Sequence, residues 1–303
     1  MRIVSLLPSL TELVCALGRG DELVGVTHEC DYPPGVEFLP HLTRSRIAAA
    51  ATGAEIDRAV SDQGGSLYDL DADGLAELRP GLILTQEQCD VCAVNEATVR
   101  RSAATLPGPP RVESVNPTDL AGVFAMFQEV AAILDAEPEA HALRSGFDDL
   151  AETILSRVGD RPRARVLLLE WLDPPFSSGH WNPELIALAG GLEVLARAGE
   201  RSRRLGWGEV VASEPDVVLL SPCGFGLDRA EAELPALLAR PEWRSLEAAQ
   251  AGRVALVDGS AFFSRPGPRL RESLAIAAAA IHPGPCHDLA PRGSFRFLEP
   301  VAD

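Results

Sequence analysis

Cys89, Cys92, His28 and Cys30 are the residues of this sequence whose types suit metal or redox chemistry. Cys89 and Cys92 form a C-x-x-C motif after a predicted strand, and His28 and Cys30 follow another strand. Because zinc prefers thiolate and imidazole ligands, these four side chains form one hypothesis for a metal site. A thioredoxin-like redox pair is a second hypothesis, but the motif does not start a helix as such pairs do. The third hypothesis is plain buried or ligand-facing thiols.

Aromatic side chains in the second half follow predicted strands and suit a flat, partly apolar ligand. Such a ligand needs aromatic walls and a few placed hydrogen-bond donors. Ligand loops gather at the carboxyl ends of parallel strands, so we expect these rings at one end of a sheet. Trp207 lies between two glycines, which makes it hard to bury as ordinary core. The alternative is that the rings close the edge of a core. The candidates are Phe176, His180, Trp181, Trp207, Phe262 and Phe263.

Three residues of the first half are candidates for the same kind of site. Pro8 and Ser9 follow the first predicted strand, and Tyr32 follows the second. Tyr32 precedes a pair of prolines, which restricts its backbone. The alternative for Tyr32 is that its ring packs this turn.

Short apolar runs alternate with helical stretches along the whole chain. Nearly continuous apolar strands separated by helices are typical of parallel sheets that are buried on both faces. The predicted class is therefore α/β. The predicted strands are residues 3–7, 23–26, 82–84, 112–115, 166–169, 217–220 and 254–257.

The sequence predicts two Rossmann-like lobes joined by a long connecting helix. Residues 77–84 and 212–219 resemble each other, each with a helix end, a proline and a buried strand. We therefore expect an N-terminal α/β lobe over 1–117, a helical connector over 118–160 and a C-terminal α/β lobe over 161–303. Two amphipathic stripes support the connector. The first helix is predicted to start after Thr118 or Asp119, either of which can cap it. Its apolar stripe is Leu120, Phe124, Phe127, Ala131 and Leu134. The first lobe is expected to carry an insertion over residues 41–71.

Composition limits the classes of partner. The formal net charge of −17 disfavours nucleic acid. All 27 basic residues are arginine, which excludes mechanisms that need a lysine. As written, the chain predicts a cytoplasmic location, and an extracytoplasmic one if the true start lies upstream. We expect a monomer.

Four stretches occur in an order and spacing that match one family. They are IVSLLPSLTE (3–12), CDYPP (30–34), PPFSSG (174–179) and FFSRPGPR (262–269). With them the chain resembles the cobalamin-binding substrate-receptor proteins of ABC importers, over about residues 3–281. The resemblance implies two α/β lobes, a connecting helix, and a cleft between the lobes that holds a corrinoid without a chemical step.

The resemblance also implies further residues and partners. Arg265, in the last stretch, joins the candidate ligand contacts. Glu96 and Glu231 fall near the carboxylates with which the importer receptors dock onto their permease, although ordinary solvated charges are the alternative. His180 is expected to be a hydrogen-bonding wall residue, with axial ligation of cobalt as its alternative.

Two alternatives to corrinoid binding remain. The first is haem or an iron-siderophore, for which Arg201, Arg203 and Arg204, or Arg44 and Arg46, would supply a basic cluster. The second is a zinc or thiol protein centred on Cys89 and Cys92. No G-x-S-x-G, H-E-x-x-H or paired-carboxylate motif supports catalysis, so we expect a binding protein and no enzyme.

Overall fold

The computed structural model describes residues 1–48, 50–63, 67–86 and 94–301, with 62 and 63 described by their backbone alone. The chain divides into two compact units. Unit 1 comprises Met1–Pro117 and Phe124–Leu143, and unit 2 comprises Thr118–Val123 and Arg144–Asp303.

Unit 1 is built on a parallel sheet with the strand order β2-β1-β5-β6. The two central strands are fully buried, because their side chains are apolar on both faces. Its elements in chain order are β1 (Ile3–Ser5), α1 (Pro8–Ala16), β2 (Leu23–Gly25), β3 (Thr43–Ser45), α2 (Gly53–Gln63), β4 (Tyr68–Leu70), α3 (Ala72–Leu78), β5 (Leu82–Gln86), α4 (Glu96–Ala104) and β6 (Arg111–Val115).

The segment expected to be an insertion contains β3, α2 and β4. The two strands pair antiparallel, with Thr43 opposite Leu70 and Ser45 opposite Tyr68. This pairing brings Tyr68 back toward the end of β2, because Val26 forms a bridge with His41 just before β3. Asp71 then caps α3 by accepting the backbone N–H of Gly74 at 2.9 Å.

Two helices follow, α5 (Leu120–Leu134) and α6 (Glu137–Val158). The N–H of Gly122 donates to Asp119 Oδ1 at 2.7 Å, so Asp119, one of the two predicted candidates, caps α5. The predicted apolar stripe of α5 is buried throughout. At 22 residues, α6 is roughly 33 Å long. Its first seven residues belong to unit 1 and the rest to unit 2, which makes it the predicted connecting helix.

Unit 2 contains a sheet with the order β12-β11-β10-β7-β8, and β9 also pairs with β7. Strands β7, β9, β10 and β11 run parallel to one another, while β8 is antiparallel to β7 and β12 is antiparallel to β11. The elements are β7 (Ala164–Leu172), β8 (Pro175–Ser177), α7 (Asn182–Leu188), β9 (Gly191–Glu193), α8 (Trp207–Ala212), β10 (Val217–Leu220), α9 (Leu227–Leu238), α10 (Pro241–Arg244), α11 (Glu247–Gln250), β11 (Val254–Val257), α12 (Leu270–Ile281), α13 (Pro283–Cys286) and β12 (Phe295–Phe297).

The predicted α/β class is confirmed, although the predicted strand over 3–7 ends at Ser5 and five short strands were not predicted, namely β3, β4, β8, β9 and β12. The strand expected over 166–169 continues to Leu172 and turns back into β8 through Asp173 and Pro174. A two-residue connection can join only antiparallel strands, so β8 breaks the parallel pattern. Within the described residues, no helix has both the length and the apolar character needed to cross a bilayer.

Candidate ligand-binding site

In unit 1 the turn from β1 into α1 is held by a chain of buried hydroxyl groups. The hydroxyl of Thr11 donates to Ser5 Oγ at 2.8 Å, and that of Ser5 donates to the carbonyl of Leu7 at 3.1 Å. The Sγ of Cys30 lies 3.1 Å from Thr11 Oγ1 and acts as the donor when Thr11 donates to Ser5. This chain fixes the start of α1, where Pro8 and Ser9 lie.

The two candidates in this turn differ in exposure. Pro8 is the first residue of α1 and is partly exposed. Ser9 is buried, and its Oγ has no hydrogen-bond partner among the described residues. Tyr32 is 44% exposed, so its side chain is available at the surface of unit 1. Their contact with a ligand stays a prediction.

A small, shallow pocket opens at the carboxyl ends of β1 and β2. His28 and Tyr68 form part of its wall, with ring centroids 5.3 Å apart. The Nδ1 of His28 lies 2.6 Å from Thr43 Oγ1, and its Nε2 lies 3.3 Å from Glu29 Oε1. These contacts fix the imidazole ring. The pocket lining is Leu6, Pro8, Thr27, His28, Glu29, Thr43, Tyr68 and Val94.

The metal hypothesis is tested only in part. Cys89 and Cys92 lie outside the described residues. Among the residues that the structure describes, no three His, Cys, Asp or Glu side chains are grouped as metal ligands. Cys30 has the thiol hydrogen bonds given above, and burial is the main cause that raises the pKa of the nearby Cys15 to about 11. Cys15 therefore remains a thiol at neutral pH, and the role of Cys89 and Cys92 stays a prediction.

In unit 2 the hairpin of β7 and β8 is extended by the segment around Arg204. The N–H of Ser177 donates to the carbonyl of Arg203 at 2.9 Å, and the N–H of Leu205 donates to that of Pro175 at 2.8 Å. Phe176 stands opposite Trp171 on β7 and pairs with Arg204 in this segment. The guanidinium of Arg204 is 5.8 Å from the centre of the Phe176 ring. Phe176 keeps part of its ring exposed.

Trp171 is a candidate that the sequence reasoning missed. Its ring meets Phe225, in the loop after β10, edge to face with centroids 5.2 Å apart. The guanidinium of Arg229 covers Phe225 at 3.8 Å. The sequence does contain a clue to Trp171, because Asp173 and Pro174 follow it closely and such a pair is typical of a turn. Trp171 could therefore have been placed near the end of the strand. The prediction overlooked it because it ended the strand at Leu169.

Trp207 is the first residue of α8 and is partly buried. The carboxylate of Glu209 accepts the N–H of Gly206 at 2.8 Å, which fixes the start of this helix. The Trp207 ring meets Trp243 edge to face at 6.5 Å, and Arg240 lies over it at 5.2 Å. The indole N–H of Trp207 has no hydrogen-bond partner among the described residues. The two glycines that flank Trp207 therefore belong to the start of a helix. They do not leave the Trp207 ring fully exposed.

Trp181 and Phe263 are buried and tie two loops together. The indole N–H of Trp181 donates to the carbonyl of Phe263 at 2.9 Å, and the N–H of Phe263 donates to Ser273 Oγ at 3.0 Å. Phe263 is fully buried and Trp181 is 4% exposed. Both rings thus shape the loops from the interior of unit 2, and direct contact between either ring and a ligand stays a prediction.

His180 is half-buried and adopts a left-handed backbone conformation with φ of 54°. Its N–H donates to the carbonyl of Glu200 at 2.7 Å, and its carbonyl accepts from Gly199 at 3.0 Å. Burial, with a smaller effect from Arg201, lowers the pKa of His180. The imidazole is therefore neutral at physiological pH, the form that accepts a hydrogen bond.

A carboxylate positions the loop that carries His180. Glu170 Oε1 accepts the N–H of Gly179 at 3.2 Å and the side-chain amide of Asn182 at 2.8 Å. Gly179 passes so close to the backbone of Ser202 that a Cβ atom there would collide with it. The PPFSSG stretch therefore contains a hairpin strand and, at Gly179, a point where the backbone passes close to that of Ser202.

The loop after β11 has its own internal support. Asp258 Oδ1 accepts the N–H groups of Ser260 and Ala261 at 3.0 and 2.9 Å. Arg265 Nη2 donates to Ser260 Oγ at 3.3 Å. Phe262 is 9% exposed, with Arg269 at 5.7 Å from its ring centre. Arg265 and Phe262 therefore lie on the same loop, with Arg265 the more exposed of the two.

Glu193, at the end of β9, is a buried carboxylate. Its Oε2 accepts the N–H of Leu168 at 3.2 Å and the hydroxyl of Ser178 at 3.3 Å, and its Oε1 accepts the N–H of Leu195 at 3.2 Å. Burial raises the pKa of Glu193 to about 7, although these hydrogen bonds oppose the rise. Glu193 therefore titrates near neutral pH.

The two carboxylates expected to dock onto a permease lie on separate units and each has an arginine partner. Glu96, in the first turn of α4, accepts from Arg100 Nε at 2.6 Å. Glu231, on α9, forms an ion pair with Arg296 and is 57% exposed. The Glu96 side chain is only 18% exposed, whereas Glu231 is open to solvent. The docking role of both residues stays a prediction.

Comparison with known proteins shows which family has this architecture. The model of the periplasmic binding protein family matches residues 3–261, and the chain belongs to this family. A vitamin B12-binding protein of Yersinia pestis is 26% identical over 233 residues, which cover 76% of this chain and 73% of that protein. The family resemblance seen in the four stretches is thereby confirmed.

Solved structures share the fold at low sequence identity. A periplasmic haem-binding protein from Pseudomonas aeruginosa superposes with a TM-score of 0.71 at 21% identity, covering 99% of this chain and 96% of that one. The periplasmic vitamin B12-binding protein of Vibrio cholerae gives 0.65 at 20% identity, covering 92% and 96%. These two structures show the fold alone, since one is named for haem and the other for vitamin B12.

Proposed function

We propose that this chain binds a corrinoid, cobalamin or a close relative, as the substrate receptor of an ABC importer and leaves it chemically unchanged. The observation that carries the proposal is the match over 233 residues with a relative named as a vitamin B12-binding protein. Two of the four stretches that carried the resemblance follow strands of the unit 2 sheet. PPFSSG contains β8 and follows β7, and FFSRPGPR lies in the loop after β11.

The geometry of unit 2 is consistent with this ligand. Phe176 and Trp207 keep part of their rings exposed beside the β7–β8 hairpin. Arg265 adds a donor on the loop after β11. A corrin ring, which has apolar surface and amide groups at its rim, needs aromatic contact and donors of this kind.

Haem is the second candidate, and two side chains at the pocket of unit 1 favour it. Imidazole and phenolate are both axial ligands of haem iron in proteins. His28 and Tyr68 line that pocket with rings 5.3 Å apart. A corrinoid has no need of a phenolate, so ligation by Tyr68 would distinguish haem binding.

An iron-siderophore has less support, because a carboxylate already pairs with one arginine of each of the two predicted basic clusters. Arg46 Nε donates to Asp69 at 2.7 Å, and Arg203 pairs with Glu209 at 3.0 Å. An anionic ligand would have to compete with these ion pairs for the guanidinium groups.

An importer permease is the proposed protein partner, with Glu96 and Glu231 as docking carboxylates. Membership of a periplasmic binding protein family favours the extracytoplasmic alternative for the location. Fractionation of cells that express the native gene, followed by immunoblotting, tests the location. Substitution of both glutamates by Gln should weaken association with the permease but leave ligand affinity unchanged.

Calorimetric titration of the purified chain with cyanocobalamin, hemin and a ferric siderophore tests the proposal. We expect one cyanocobalamin per chain and a visible absorption spectrum close to that of free cobalamin. Tight binding of hemin without binding of cyanocobalamin would replace the corrinoid with haem. Binding of the siderophore alone would exclude both.

A further inference from the structure

Trp171, which the sequence reasoning did not consider, lies in the middle of a row of side chains on unit 2. It stands opposite Phe176 on β8, and Phe176 stands opposite Arg204 on the next segment. Residues that face each other across adjacent strands project on the same face of a sheet. Trp171, Phe176 and Arg204 therefore lie side by side.

The row continues from Trp171 in the other direction. Its ring meets Phe225 edge to face at 5.2 Å, and Arg229 covers Phe225 at 3.8 Å. We call Arg229, Phe225, Trp171, Phe176 and Arg204 the aromatic row. A guanidinium stands at each end of it.

The rings of the aromatic row differ in how far they are exposed to solvent. Phe225 is 2% exposed, so it is the buried member of the row. Trp171 and Phe176 are both partly exposed. Rings that only close a core are fully buried, as Trp243 and Phe263 are in this unit. Trp171 and Phe176, which are partly exposed, thus leave apolar surface between the guanidinium groups of the two arginines at the ends of the row.

We propose that Trp171 is a ligand-contact residue and the centre of the unit 2 contact surface. The indole and the Phe176 ring cover an apolar part of the macrocycle, because aromatic faces offer a large rigid contact area. Arg204 and Arg229 donate hydrogen bonds to oxygen acceptors at the rim of the ligand. This inference rests on the proposed function and specifies the ligand as flat, apolar in the middle and rich in acceptors at its edge.

Titration of Trp171 variants with cyanocobalamin, or with hemin if hemin is the ligand that binds the wild type, tests the inference. We expect Trp171→Ala to weaken affinity by about tenfold or more, and Trp171→Phe to stay within about threefold of the wild type. Phe297→Leu is the control, since Phe297 is an exposed aromatic residue on β12 and lies outside the row. It should bind normally. The double variant Arg204→Gln and Arg229→Gln should weaken binding about fivefold or more.

The outcomes distinguish this inference from the proposed function. If the wild type binds cyanocobalamin or hemin and folded Trp171→Ala binds it with equal affinity, the aromatic row is not the contact surface. If Trp171→Ala does not fold, Trp171→Leu replaces it, because leucine keeps apolar bulk but lacks an aromatic face. Wild-type affinity in Trp171→Leu would equally overturn the inference. If the wild type binds neither ligand, the proposed function itself fails.

Discussion

The guanidinium of Arg240 lies 5.2 Å from the centre of the Trp207 ring and also donates to Asp173 Oδ1 at 3.4 Å. Asp173 belongs to the turn between β7 and β8, so Arg240 joins that turn to the start of α8. One face of Trp207 is thereby occupied by a cation within its own unit. Only the remaining surface of the ring is available to a ligand.

Trp207→Ala should weaken corrinoid binding by ~1–3 kcal/mol, since a large aromatic contact is lost. Calorimetric titration measures this change. Arg240→Gln is the companion variant, and it should cause a smaller loss because the ring stays but is held less firmly. Equal affinity in Trp207→Ala and the wild type would remove Trp207 from the site.

Trp181→Phe should lower the free energy of unfolding of unit 2 by about 1–3 kcal/mol. The substitution leaves the carbonyl of Phe263 without its donor while the site stays buried. Urea denaturation followed by tryptophan fluorescence measures the loss, because all four tryptophans lie in unit 2. Trp171→Phe is the matched control, since it removes an equal chromophore from a partly exposed position. An unchanged midpoint in Trp181→Phe would show that the hydrogen bond contributes nothing to stability.

Glu193 should make the stability of unit 2 fall as the pH rises from about 4.5 to about 7. Its folded pKa is about 7, above the ordinary value of 4.5, so the folded state binds more protons in that window. The free-energy cost of burying the ionised Glu193 carboxylate is absent below this pH window and reaches its full size above it. Its ceiling is roughly 3.5 kcal/mol, because each pKa unit corresponds to about 1.4 kcal/mol.

Denaturation of the wild type and of Glu193→Gln at about pH 5 and about pH 8 checks this sign. Relative to the wild type, the variant should gain stability at the higher pH. Glu209→Gln is a control on an exposed carboxylate, and it should not reproduce that gain. If the wild type and Glu193→Gln lose stability in parallel as the pH rises, Glu193 is not the titrating group.

Cys89→Ser combined with Cys92→Ser should leave corrinoid affinity within about tenfold of the wild type, or ~1.4 kcal/mol. This follows if the two thiols are packed or ligand-facing groups without a metal. Zinc analysis of the purified wild type is the parallel measurement. Stoichiometric zinc that the double variant loses, together with lost binding, would make the cysteine loop the functional centre.

Periodicity in the sequence was enough for the framework of the fold. Runs such as 217–220 and 254–257 are apolar at every position, and only a sheet covered on both faces buries such runs. The stripe of α5 and the cap at Asp119 could be predicted for the same local reason. The reversal at Asp173 and Pro174 was harder, because a tight turn and a longer loop have similar composition.

The exposure of the aromatic side chains in the candidate site could not be predicted in this way. Phe176, Trp207 and Phe263 all follow strands in the sequence, yet two are partly exposed and Phe263 is fully buried. Trp171 was overlooked, although register places it beside Phe176. Position along a chain predicts which end of a sheet a residue occupies, because parallel strands share their direction. It does not predict which side of a loop a ring occupies.

The sequence by itself therefore determined the α/β class, the connecting helix and the family, since each depends on local periodicity or on ordered motifs. The tertiary structure decided which aromatics present a surface and which arginines cover them. Arg229, Phe225, Trp171, Phe176 and Arg204 come from four separate stretches of chain, and only strand pairing and loop packing bring them into one row. Contacts of that kind depend on distances between chain-remote groups, which no local pattern encodes.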